Sequence, residues 1–231
     1  MIHNIKIEDG IGTLSEKTIH AVTKQYLCPD TSCHEIKVKN YYADIFIDNQ
    51  IIEIQTRNFD KLRSKLDLFL KEYPVTIVYP IPYKKWLRWI NNETGEISAP
   101  RKSPKKGTPY MIFPELYKIK SYISHENLRL QILLMNVEEY RYLNGWSKDK
   151  KKGSSRCDGI PLELIEDIKI FTKEDFVKLI PQDLPVEFTT KDFKKSTGLS
   201  VKDASTAVHV LNHIGVIHRI GKKERSYLYT R

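Results

Sequence analysis

Residues 43–56 read ADIFIDNQIIEIQT, and the alternation in this stretch decides how the chain is read. Apolar and polar residues alternate on both sides of Asp48-Asn49-Gln50, the pattern of two strands meeting at a tight turn. With a two-residue turn, whether Asp48-Asn49 or Asn49-Gln50, the period of two puts Asp44, Glu53 and Gln55 on one sheet face. Ala43, Ile45, Ile47, Ile52, Ile54 and Thr56 then take the other. The sequence therefore expects one face to be core and the other to gather carboxylates.

Two carboxylates a few ångströms apart repel each other, which is relieved by a divalent cation between them and otherwise raises one pKa. Mg²⁺ (or Mn²⁺) takes hard oxygen ligands and retains water, so Asp44, Glu53 and the carbonyl of Ile54, with Gln55 assisting, could form such a site. Phosphodiester hydrolysis uses this chemistry: the metal polarises the phosphate and lowers the pKa of an attacking water. The alternative reading is structural, with Asp44 and Glu53 as the wet side of an amphipathic hairpin.

Working outward, TLSEKTIHAVTKQY at 13–26 has helical spacing and is stopped by Cys28-Pro29-Asp30. HEIKVKN supplies a strand ahead of the two already described, 59–73 reads as a helix with Leu62, Leu66, Phe69 and Leu70 on one face, and PVTIVYPIP as a buried strand. Helix, Asp-bearing strand, Glu-x-Gln strand, helix and strand in that order resemble the PD-(D/E)XK nuclease superfamily over about residues 10–82. The resemblance implies a restriction-endonuclease-like α/β (α+β) fold, a mixed sheet flanked by helices, and a metal-dependent endonuclease activity. It aligns Glu16 with the acid of the first helix, Asp44 with the strand aspartate, Glu53 with the second metal ligand and Gln55 with the place usually held by lysine. That last position departs from the family pattern. Some restriction endonucleases in the superfamily have Glu or Gln there, and Lys37, Lys61 or Lys65 could supply the cation. Thr13-x-x-Glu16 is also a capping box, a purely structural role for Glu16.

The 231 residues, 40% hydrophobic and 29% charged, fit a soluble globular protein of one large domain or of one medium and one small domain. No apolar run approaches the ~18–20 residues of a membrane span, and the start lacks the apolar stretch of a secretion signal, so a cytoplasmic protein with no membrane association is expected. Three cysteines, at 28, 33 and 157, suit a reducing compartment. Cys28-x4-Cys33-His34 has zinc-ligand chemistry but lacks a second pair at suitable spacing. No glycine-rich phosphate loop and no nucleophile-base pattern with a Ser or Cys is evident.

The net charge of +9 is uneven. Residues 82–156 carry 16 basic and 7 acidic side chains and residues 171–231 carry 11 and 7, whereas residues 1–81 are nearly neutral. Nucleic acid, double-stranded DNA first, is the expected partner of two such regions. Candidate phosphate or base contacts are Lys84, Lys85 and Arg88, in a stretch from Lys84 to Ile90 read as a short aromatic-basic helix, and Lys102, Lys105 and Lys106 in the loop RKSPKKG. Residues 128–143 read as strand, 147–156 as a lysine-rich loop, and 160–170 as the closing segment of a first domain spanning 1–170.

The tail, 171–231, reads as three short helices and a hairpin, the layout of a small winged helix-turn-helix domain. Thr172, Thr189 or Thr190, and Ser200 are candidate caps, and Gly198 a helix stop. Its third helix would turn Val201, Ala204, Val208 and Leu211 inward and Ser200, Lys202, Asp203, Ser205, Thr206 and His209 outward, with Lys222, Lys223 and Arg225 on the wing holding phosphates. The sequence thus expects a Mg²⁺-dependent nuclease acting on DNA, or a catalytically silent regulator on the same fold. A homodimer is left open.

Overall fold

The structure, a computed structural model, describes residues 17–144 and 155–231. Glu16, its capping box with Thr13, and the lysine-rich stretch up to Ser154 lie outside the described residues. In chain order the elements are α1 (Lys17–Leu27), β1 (His34–Val38), β2 (Tyr41–Ile47), β3 (Gln50–Ile54), α2 (Arg63–Phe69), β4 (Val75–Ile90), β5 (Arg101–Lys102), α3 (Phe113–Lys118), β6 (Leu128–Tyr142), β7 (Ser155–Ile170), β8 (Glu187–Thr189), α4 (Thr190–Thr197), α5 (Val201–Ile214), β9 (His218–Lys223) and β10 (Ser226–Thr230). This is a mixed α+β fold, with helices flanking a sheet of parallel and antiparallel strands. Packing divides it into two compact units interleaved in sequence, one of residues 1–32, 80–107 and 133–167, the other of residues 33–79, 108–132 and 168–231.

The second unit contains the meander. Ile45 lies opposite Ile52 and Ile47 opposite Gln50, so the turn is Asp48-Asn49. Both residues are left-handed, with φ of 49° and 58°, the geometry of a tight hairpin turn that Asp and Asn tolerate better than other side chains. β3 then pairs in parallel with β4, Glu53 opposite Ile77. A parallel pair needs a crossover, made here by a 3-10 turn at Phe59–Leu62 followed by α2. Phe59, Leu62, Leu66 and Phe69 on this connection are buried. The single helix expected over 59–73 is therefore shorter and begins as a tighter turn.

A crossover helix covers the sheet face it packs against. Glu53 is consequently 1% exposed, where the sequence reading of an amphipathic hairpin had a wet face.

The tail from Phe171 belongs to the same unit. A 3-10 turn at Glu174–Leu179 replaces the first of its expected helices. Asp175 ties that turn down by accepting from the backbone N–H groups of Phe171 (2.9 Å) and Thr172 (3.0 Å), a role expected of the Thr172 hydroxyl. Thr189 caps α4 in a reciprocal capping box with Asp192, Ser200 caps α5, and Gly198 and Gly215 end the two helices with φ of 69° and 76°. Phe193 of α4 is buried against Tyr110, Phe113 and Phe188, with ring centroids 6.2–6.4 Å away. Burial of one such ring is worth about 2–3 kcal/mol. α5 buries Ala204, Ala207, Val208, Val210 and Leu211, but Val201, expected inward, is 67% exposed because it opens the first turn. β8, β10 and β9 form a three-stranded sheet in that order.

In the first unit, the stretch from Lys84 to Ile90 is strand, continuous with the rest of β4, and not the short helix expected. Its pairing explains the difference. Trp86 and Leu87 lie opposite Lys102 and Arg101 of β5, and the following loop is pinned back by Ser103 N–H to Lys85 O (2.8 Å) and Gly107 N–H to Tyr83 O (2.9 Å). Gly107 is required there, since a Cβ would lie 2.2 Å from the Pro82 carbonyl oxygen. β4 and β6 adjoin, and β7 follows β6 at the edge. α1 packs on this unit through Ile19, 3% exposed, and through a Thr18 hydroxyl donating to Asp158 at 2.5 Å. Among the described residues, no helix is long and apolar enough to cross a membrane.

Candidate functional site

The β2–β3 hairpin fixes the first of two charged centres. Extending its register beyond Ile45 and Ile52 sets Asp44 across from Glu53. Asp44 is half-buried and its Oδ2 accepts the backbone N–H of Ile54 at 2.7 Å, which holds the carboxylate beside its neighbour's strand. Glu53 is buried, and both of its oxygens accept from the Lys65 ammonium of α2, at 2.8 and 3.0 Å. The same ammonium donates to the Tyr42 carbonyl at 2.7 Å, so it is placed by one helix and held by two strands. Burial pushes the Glu53 carboxyl up and Asp44 pushes it further, while Lys65 pulls it down; the result is about 7. Glu53 is thus paired with Lys65 in a dry place beside a second acid, and it gains a proton near neutrality.

Of Lys37, Lys61 and Lys65, the last therefore reaches Glu53. Gln55, half-buried just past β3, has its backbone N–H bonded to Val78 O (2.9 Å), and the Ile54 side chain is buried. Among the described residues no three His, Cys, Asp or Glu side chains converge in the way a metal site of those ligands would require. Cys28, Cys33 and His34 accordingly do not form such a group.

The second centre lies in the first unit and escaped the sequence reading. Glu139 of β6, 2% exposed, meets Lys85 of β4 at 3.0 Å, Arg141 of the same strand at 2.7 Å through Nε, and Arg156 of β7 at 3.9 Å. Burial raises the Glu139 carboxyl, but Lys85 and Arg141 outweigh it and leave it below its ordinary value. Arg88 pairs with Glu138 at 2.9 Å. Lys85 and Arg88, expected to contact nucleic acid, are thus engaged with carboxylates of the sheet. Lys85 lies 54 residues before Glu139 and Arg156 is on a different strand after it, so spacing along the chain does not signal their meeting.

The other candidate contacts remain at the surface. Lys84 and Lys106 lie 5.4 and 4.4 Å from the Tyr83 ring centroid, and Lys102 and Lys105 are exposed on the pinned loop. In the tail, Lys202, Lys222, Lys223 and Arg225 are exposed, and Lys222 lies 5.5 Å from the Tyr227 ring. His209, expected on the outward face of α5, is exposed there and also meets Tyr117 edge-on at 5.5 Å and lies 3.2 Å from the Lys120 ammonium.

A family model described as "Domain of unknown function (DUF8091)" matches residues 17–171. The chain belongs to this family. The DUF8091 span includes Asp44, Glu53, Lys65 and the Glu139 centre, and ends where the tail begins. An uncharacterized protein of Treponema pallidum (strain Nichols) is 28% identical over 228 residues, covering 96% of this chain and 87% of that relative. Similarity to that protein therefore extends past the DUF8091 span into the tail. No solved structure matches this DUF8091 chain.

Proposed function

We propose that the chain is a nuclease of the restriction-endonuclease-like type, hydrolysing phosphodiester bonds of DNA with Mg²⁺ or Mn²⁺, and that α4, α5, β9 and β10 act as a winged helix-turn-helix on the duplex. The observation that supports this best is the pairing of Asp44 and Glu53 across the hairpin, with Lys65 on Glu53. The donor set fits a hard divalent cation: two carboxylates face each other across one strand pair, and Asp44 adds to the rise that burial gives the Glu53 carboxyl. Asp44 and Glu53 would hold the ion, with the Ile54 carbonyl as a third oxygen and Gln55 assisting. The ion supplies polarisation of the phosphate and a water of lowered pKa.

The protein's own groups do the rest. The Ile54 N–H fixes Asp44 without neutralising it. Burial keeps bulk water away from Glu53, so charges there act at short range and low dielectric. Lys65, whose three N–H groups are on Glu53 and the Tyr42 carbonyl, would exchange one of these for a phosphate oxygen to do the task of the cation absent at Gln55. Lys84, Lys102, Lys105 and Lys106, and in the tail Lys202, Lys222, Lys223 and Arg225, would contact backbone phosphates without reading sequence.

Plasmid and oligonucleotide cleavage in Mg²⁺ or Mn²⁺ tests the reading. Wild type is expected to cut, and Asp44→Ala to lose about 100-fold or more in rate. Absence of cutting by wild type in both metals, on DNA and on RNA, overturns it.

One observation favours a second reading, a silent nuclease-fold DNA-binding regulator. Lys65 occupies both Glu53 oxygens, and Glu53 is 1% exposed. Binding of DNA without cleavage, by wild type and Asp44→Ala alike, is its signature.

A further inference from the structure

A buried carboxylate needs one cation for neutrality, yet Glu139 gathers three from three strands. Lys85, Arg141 and Arg156 are only partly covered, with side chains 25%, 23% and 38% exposed. They are held close together with two positive charges in excess, an arrangement that repels itself until an anion joins it. Their hydrogen-bonding capacity is also unspent. Lys85 uses one ammonium N–H on Glu139, and Arg141 uses Nε and Nη2, leaving its remaining donors. Arg156, at 3.9 Å, makes an ion pair too long for a hydrogen bond. It lies back over Gly159, where a Cβ would come within 2.9 Å of its Nη2, so the glycine leaves room for the guanidinium.

We propose that Lys85, Arg141 and Arg156 form a phosphate-binding site in which Glu139 acts as the internal post that sets their spacing. Guanidinium forks match tetrahedral oxyanions in two-point contacts, and an ammonium adds a point charge, so two arginines with one lysine suit phosphate better than a single carboxylate. The phosphate is that of a polynucleotide backbone or of a small phosphorylated molecule. Both present anionic phosphoryl oxygens. The site goes beyond the hydrolytic reading and stands whether or not Asp44 and Glu53 cut anything, because it uses none of their atoms.

Binding measured in EDTA keeps the two readings apart. Inorganic phosphate is titrated by calorimetry and a short labelled oligodeoxynucleotide by anisotropy, against wild type, Arg156→Gln, Arg156→Lys and Lys71→Gln. Lys71 is an exposed lysine outside the cluster, and its variant removes the same charge. Arg156→Gln is expected to weaken binding about tenfold, Arg156→Lys to recover part of it, and Lys71→Gln to change it less than about twofold. Thermal melting checks that each variant is folded. Loss on the oligonucleotide alone supports a polynucleotide source, and loss on inorganic phosphate alone a small-molecule source. No binding of either probe by wild type, or equal weakening by Arg156→Gln and Lys71→Gln, overturns the proposal.

Discussion

Glu53 and Glu139 are both buried, on strands of the two different units, yet they sit on opposite sides of their ordinary pKa. Glu53 has one lysine and faces another acid, and it rises to about 7. Glu139 has Lys85 and Arg141 in direct contact and Arg156 beyond, and it falls. Burial pushes both upward, so the difference comes from the company each keeps. A carboxylate short of positive charge is poised to accept a cation or a proton. One surrounded by excess positive charge stays ionised and organises its neighbours.

Removing Lys65 from the acid-rich centre should have the largest effect. Lys65→Met leaves Glu53 buried beside Asp44 and is expected to lose about 3–5 kcal/mol at pH 8, with a smaller loss at pH 5, where Glu53 is protonated. Urea unfolding at the two pH values measures this, and equal losses at both would break the contrast.

Wild type itself carries the next signal. Glu53 binds its proton more tightly folded than unfolded, so its contribution is full below about pH 4.5 and is lost as pH rises through 7. Relative to Glu53→Gln, wild type should lose about 3 kcal/mol between pH 4.5 and 8. A stability difference that stays flat over that range removes the assignment.

Glu139→Gln should cost less, about 2 kcal/mol at pH 7, because the cations it leaves behind keep access to water. The sign with pH is opposite. A lowered carboxyl stabilises the fold above its unfolded value near 4.5 and loses that contribution only as pH falls through the lower folded value, so the variant's deficit should be the same at pH 5 and pH 8. A deficit that shrinks at pH 5 would make the two centres alike.

The smallest effect sharpens the cause. Asp44→Asn keeps an acceptor for the Ile54 N–H but removes the neighbouring charge, and the Glu53 carboxyl is expected to drop by about one unit, read from its ¹³C chemical shift. An unchanged value assigns the rise to burial alone.

The acid-rich centre was legible in the sequence because alternation and a two-residue turn fix register over a dozen residues. Asp44 opposite Glu53 follows from parity, and Lys65 was among the lysines within reach of the site. The burial of Glu53 was hidden, since parity shows which side chains share a face but not that a crossover helix covers it. The Glu139 centre was hidden altogether, because Lys85, Glu139 and Arg156 meet only through strand order. Lys84–Ile90 resembled a helix for the same reason: its strand conformation is imposed by β5 and the loop pinned at Gly107, which spacing within seven residues does not reveal.

Each unit is assembled from three separated segments, and this governs the order in which a nascent chain can mature. Residues 33–79, which contain Asp44, Glu53 and Lys65, emerge early as one contiguous piece, but the unit that completes their surroundings ends only at Arg231. At about 5–20 residues per second, synthesis of residues 80–231 takes roughly 8–30 s, during which the young hairpin must stay soluble without the strands and helices that later enclose it.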